Sequence, residues 1–98
     1  MQRFFNPSET IVTGAIDGML RATTQGKLVR ADGFPHTKIV IREDWDKSKV
    51  AIISGGGAGH EPAHVGFVGR GMLTASICGE VFASPSVEAV LACILTVT

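Results

Sequence analysis

Hydrophobic positions fall into two kinds of pattern along this chain. Near the N-terminus, Ile11, Val12, Ala15, Ile16, Met19 and Leu20 recur at i, i+4 and i+8. That spacing predicts an amphipathic helix with one apolar face. Ser8 is placed as its N-cap and Glu9 at the positive end of the dipole. The helix is expected to fade near Thr23–Gly26. Further on, Thr37–Arg42 predicts a short strand. Lys49–Ser54 is an apolar, β-branched run without alternation, which predicts a strand buried on both faces. Glu61–Val68 predicts a short helix with Pro62 in its first turn. Met72–Cys78 predicts a second buried strand. Ser84-Pro85-Ser86 opens a last helix, with Ser84 as N-cap, Pro85 at the first helical position, and Val87, Val90, Leu91, Ile94 and Leu95 as the apolar face. Strands alternating with helices predict an α/β fold with a mixed, largely parallel sheet and flanking helices.

The 98 residues allow one domain at most. A domain of this size buries roughly two-thirds of its unfolded surface. Lys+Arg and Asp+Glu each number 9, so the net charge is zero. A nucleic-acid footprint needs a basic face, and a membrane-surface segment needs a basic cluster; neither is expected. No apolar run reaches the ~20 residues of a membrane span. Met1–Pro7 has no apolar h-region, and no signal peptide is expected. Cys78 and Cys93 lie in apolar surroundings without ligand spacing, which reads as buried thiols of a cytoplasmic protein.

Charge is uneven. Residues 51–98 hold four of the charged side chains, Glu61, Arg70, Glu80 and Glu88, and the other fourteen precede them. So apolar a stretch belongs in the core of a larger domain or beneath another chain. With the final run Leu91–Thr98, this reads as the front part of a longer protein.

The main chemical signal is Gly55-Gly56-Gly57-Ala58-Gly59-His60 after a buried strand. Glycine accepts positive φ and lets a ligand approach the main chain. Successive N–H groups there form a cradle for an anion or oxygen, and a helix N-terminus adds donors. A plain strand-to-helix turn is the alternative, although one or two glycines suffice for that. No Lys follows, which excludes a P-loop. The spacing also fails G-x-G-x-x-G, because the sixth position is His60 or Pro62.

His60-Glu61-Pro62-Ala63-His64 matches H-E-x-x-H. Zinc binding by that motif needs both imidazoles on one continuous helix, and Gly59 and Pro62 break it; no metal site is assigned. His60 is read as a proton-transfer group for a small ligand's hydroxyl, with helix capping as the alternative. His64 is read as packing inside the short helix. Ser84 and Ser86 are read as caps, with lining of the site as the alternative.

Ser54–Ala75 together with Cys78–Ser86 closely resembles the substrate-binding domain of dihydroxyacetone kinases. The long Ser-Gly-Gly-Gly-x-Gly-His-Glu-Pro string carries the resemblance, and Phe4-Phe5-Asn6-Pro7 extends it more loosely. It implies that residues 1–98 form the N-terminal part of such a domain, truncated. It implies that Gly57, Ala58, Gly59 and His60 contact dihydroxyacetone and that His60 is the catalytic acid/base. The family usually has Ser at the position of Ala58, so only a main-chain contact carries over there. An Asp and a hemiaminal-forming His of the family lie beyond this chain. No cofactor is expected in the chain itself; ATP-Mg, or a phosphorylated carrier, belongs to a separate helical domain or subunit. Homodimerisation is also implied. The rival expectations are a non-catalytic fragment that retains the glycine segment, and a zinc hydrolase.

Overall fold

The computed structural model describes residues 11–22, 28–31, 33, 37–59 and 63–98. Ser8, Glu9, the Thr23–Gly26 helix end, His60, Glu61 and Pro62 lie outside them. Six elements are described: α1 (Ile11–Ala22), β1 (Leu28–Arg30), β2 (Lys38–Arg42), β3 (Ile53–Ala58), β4 (Ala75–Val81) and α2 (Val87–Val97), with a single 3₁₀ turn at Val65–Phe67.

The strands form one sheet in the order β1-β2-β4-β3. The α/β class and the mixed sheet agree with the sequence pattern. The large parallel share does not: β1–β2 and β2–β4 are antiparallel, and only β3–β4 is parallel. Connection length explains this. A parallel pair needs a crossover of about a dozen residues or more. Residues 31–37 are too few to carry one between β1 and β2, whereas residues 59–74 suffice between β3 and β4. β1 itself was not anticipated. It has three residues, and Val29 is exposed, so it carries no readable alternation.

The sheet is covered on both sides. On one face Ile39, Ala75 and Ile77 pack against Ala89, Cys93 and Val97 of α2. On the other, Val40, Cys78 and Ala58 pack against Val12 and Ile16 of α1, and against Val65. β4 is buried without interruption from Ala75 to Gly79, as two-sided cover requires.

The two parallel strands lie further along the chain than the pattern predicts. The run 49–54 gives way to β3 at Ile53–Ala58, and 72–78 gives way to β4 at Ala75–Val81. Val50, Ile52 and Met72 are exposed. Thr74 sets this register. Its N–H donates to Ile52 O at 2.7 Å, its Oγ1 accepts from Ile52 N–H at 3.1 Å, and its carbonyl accepts from Arg42 N–H at 3.0 Å. Buried Thr74 therefore joins the start of β3 and the end of antiparallel β2 just ahead of β4.

The last helix starts later and faces differently than predicted. Ser86, not Ser84, is the N-cap, and its Oγ accepts from Ala89 N–H at 3.1 Å. Ser84 precedes a proline, which disfavours helical geometry there. Cap and sheet then bury Ala89, Cys93 and Val97, while Val87, Leu91, Ile94 and Leu95 are exposed. Apolar residues surround this helix, so periodicity does not single out a face. Small side chains win the inner face because they let the helix lie close to the sheet. Trp45 clamps its end, with Nε1–H donating to Val97 O at 2.8 Å.

Replacing Trp45 by Phe removes that bond and is expected to cost about 1 kcal/mol in urea unfolding. Burial pushes the Cys93 thiol up from 9.0 to about 11. Its folded form thus holds a proton that the unfolded chain releases. Stability is expected to fall as pH rises from about 9 to 11, and this slope should diminish in Cys93→Ala.

Candidate functional site

The glycine segment is not a loop that follows a strand; it is the strand. Gly55, Gly56 and Gly57 lie within β3, at the edge of the described sheet, with Gly55 opposite Ile77 and Gly56 opposite Cys78. The register slips by one between Gly56 and Ala58, so that Ala58 faces Val81. Such a bulge bends a strand and re-aims its main chain, a common device beside binding sites. The extra residue is on β4, where Gly79 and Glu80 together stand opposite Gly57, the first residue of the predicted substrate contacts.

Steric space explains the residue type. A Cβ on Gly55 would lie 2.3 Å from Ile77 O. One on Gly57 would lie 2.8 Å from Ala83 N and 3.0 Å from the Phe82 carbonyl carbon. Gly59 has φ 111, and a Cβ there would lie 2.6 Å from the Phe82 ring. Phe82 N–H donates to Ala58 O at 2.8 Å, which ties the turn after β4 to the end of β3. Much of the space that the missing side chains leave is therefore filled by Phe82 and Ala83. Ala58 is buried against the α1 face.

Of the predicted contacts, Gly57, Ala58 and Gly59 thus lie together at the C-terminal end of β3. His60 lies outside the described residues. Ser84 is exposed beyond the turn, and Ser86 is occupied as a cap.

His64 departs from its predicted place. It lies in a turn with φ 62 and ψ −68, ahead of the 3₁₀ turn rather than inside an α-helix. The helical geometry that H-E-x-x-H requires is not met at this residue. A positive φ on a histidine is uncommon and costs of order 1–3 kcal/mol. The ring crosses the sheet instead: Nδ1 lies 3.2 Å from Ser54 Oγ, and Nε2 lies 3.1 Å from where a Gly56 Cβ would stand.

Beneath the ring is a cleft of about 220 Å³, counting its open mouth, lined among others by Gly56, Gly57, Ala63, His64, Ser76 and Cys78. Ser54 and Ser76 are register partners on adjacent parallel strands and share this face. Ser76 Oγ is fully buried and has no hydrogen-bond partner among the described residues. An unsatisfied buried hydroxyl costs about 1–3 kcal/mol.

Sequence reasoning missed Ser54, Ser76 and the placement of the His64 ring over Gly56. The period-two rule places Ser54 with Gly56, and Ser76 with Cys78, once the strand limits are known. The limits themselves came from pairing.

An α/β sheet covered on both faces, with a glycine strand at its edge and a cleft beside it lined by His64 and Ser76, is an arrangement in which small-ligand sites recur. The chain belongs to the Dak1 domain family, whose sequence profile matches residues 17–98. It is 56% identical over 97 residues to the dihydroxyacetone kinase of Citrobacter freundii, covering 99% of this chain and 18% of that protein. It is 41% identical over 86 residues to the dihydroxyacetone-binding subunit of a PTS-dependent dihydroxyacetone kinase of Listeria innocua, covering 88% of this chain and 25% of that protein. The crystal structure of the C. freundii kinase with AMP-PNP and Mg2+ superposes with a TM-score of 0.93, at 56% identity, over 99% of this chain and 18% of that one. The chain thus spans under a fifth of the C. freundii kinase.

Gly57→Ala is expected to lower stability by about 1–3 kcal/mol, because a main-chain contact at 2.8 Å must yield. Gly18→Ala in α1 meets nothing within 4 Å and should raise stability by up to ~1 kcal/mol. Thermal unfolding of the two variants checks both signs.

Proposed function

We propose that the chain is the N-terminal part of a dihydroxyacetone kinase substrate-binding domain and that it binds dihydroxyacetone at the end of β3. The observation that carries this reading is the 0.93 superposition at 56% identity on a kinase of that name, together with the slip in the β3–β4 register opposite Gly57. The main chain of Gly57, Ala58 and Gly59 supplies the contacts. Those contacts come from the outer side of the strand, because Phe82 and Ala83 occupy the inner side.

His60 is the proposed acid/base. An imidazole that changes charge near neutral pH suits removal of a proton from an attacking hydroxyl. The phosphoryl donor, ATP-Mg or a phosphorylated carrier, is brought by another domain or subunit. The C. freundii relative was crystallised with AMP-PNP and Mg2+, which supports ATP-Mg in that relative. No described helix is long and apolar enough to cross a membrane. The two buried free thiols suit a reducing compartment, and we assign the chain to the cytoplasm. Association into a homodimer completes the reading.

One observation favours a second reading, a fragment that keeps the fold and binds triose weakly or not at all. The spaces at Gly57 and Gly59 are needed by Phe82 and Ala83, so these glycines have a structural reason to be present without any ligand.

Titration of the labelled 98-residue chain with dihydroxyacetone separates the two. The kinase reading expects amide shifts at Gly57–Gly59 and imidazole shifts at His60 that saturate in the low-millimolar range, weakened in His60→Asn. It also expects no triose phosphate from the chain alone with ATP-Mg. Shifts absent at about 10 mM, an affinity weaker than about −3 kcal/mol, select the fragment reading.

A further inference from the structure

We propose that the cleft under His64 is a binding subsite for one neutral hydroxyl group of a small ketose or polyol, with Ser76 and His64 as its two polar contacts. This rests on the triose reading above and deepens it, since Gly57 lines both the cleft and the proposed substrate contacts.

Three features select the ligand chemistry. Ser76 Oγ is sealed from solvent and has no partner among the described residues, although native proteins rarely leave such a group unpaired. His64 Nδ1 is engaged by Ser54 Oγ, while the other ring nitrogen, Nε2, has no hydrogen bond among the described residues. A serine hydroxyl both donates and accepts, and Nε2 does one or the other according to tautomer. A ligand hydroxyl, itself donor and acceptor, satisfies both whichever tautomer is present. The third feature is charge. No Lys or Arg lines the cleft among the described residues, so nothing there offsets the desolvation of a phosphate or carboxylate.

Size agrees, because the enclosed part has room for about one water-sized group. Backbone geometry points the same way. His64 is one of two non-glycine residues with positive φ among those described, and it holds its ring over Gly56 at that cost. Strain of this kind persists where the surrounding structure over-determines a residue, and it clusters at ligand sites. Ser54 is a positioning residue: it reaches the ligand only through His64.

The test uses the full 98-residue chain, isotope-labelled, with dihydroxyacetone as the probe. Ser76→Ala removes only the oxygen. His64→Asn removes the imidazole but keeps a residue type that tolerates positive φ. Amide spectra of the free variants check that each is folded.

The expected result in the wild type is a ligand-dependent shift of the His64 Nε2 nitrogen and of the Ser76 amide, with the same midpoint as Gly57. Loss of one such contact should weaken affinity by ~5- to 10-fold in Ser76→Ala, and similarly in His64→Asn. A merely structural Ser76 would alter stability and leave both the affinity and the His64 shift unchanged. If Gly57–Gly59 respond to ligand while His64 and Ser76 do not, and Ser76→Ala binds like the wild type, the cleft takes only water. The inference is then overturned and the triose reading stands. If no residue responds, both fail.

Discussion

Everything in this fold depends on how closely the β3 main chain lies against its neighbours. Gly55 faces Ile77 O across the ladder, Gly57 meets the Phe82–Ala83 main chain, and Gly59 meets the Phe82 ring, each at a distance that excludes a Cβ. Gly79 completes the arrangement from β4: its missing Cβ would stand 2.1 Å from Ala83 O. Contact at that range excludes water and brings two turns together at one end of a parallel strand pair. A parallel pair leaves its loops at the carboxyl ends of the strands, where ligands of open α/β sheets bind. Close packing and site position therefore share one cause.

The two strained residues bracket the same strand. His64 with φ 62 lays its ring over Gly56, and Phe82 with φ 53 packs its ring on Gly59. Neither conformation is favoured by the residue itself. Each persists because short connections and hydrogen bonds force it: Val65 N–H to Ala63 O at 2.8 Å on one side, and Ala83 N–H to Glu80 O at 3.0 Å on the other. The glycine strand is gripped from both ends by side chains that pay in backbone strain.

The same chain shows how polar groups are distributed when a sheet is covered twice. Lys38 reaches Glu80 and Arg42 reaches Asp44 at the periphery, with the Arg42 guanidinium over the Trp45 ring. That guanidinium, through its hydrogen bond, holds the Asp44 carboxyl below its usual value. Among the described residues the buried polar side chains are Thr74 and Ser76, and Thr74 spends its groups linking the start of β3 to the end of β2. Ser76 stands out against this background. It is a buried hydroxyl flanked by Ala75 and Ile77, and it lines a cleft that His64 also lines.

By itself the sequence determined the helix at Ile11–Ala22, the α/β class and the family. All three follow from local signals: an i, i+4 apolar face, alternating element types, and a long glycine-histidine string. Tertiary structure alone decided where the strands begin, which face of α2 is buried, and which serines meet the cleft. Strand limits came from Thr74 and the β3–β4 pairing, which link residues about 20 positions apart, so no local window records them. The face of α2 was decided by fit, because Ala89 and Cys93 allow close approach where Leu91 and Leu95 do not, although hydrophobicity ranks the larger pair first. Apolar pattern states what is to be buried; shape and hydrogen-bond register decide which of it is.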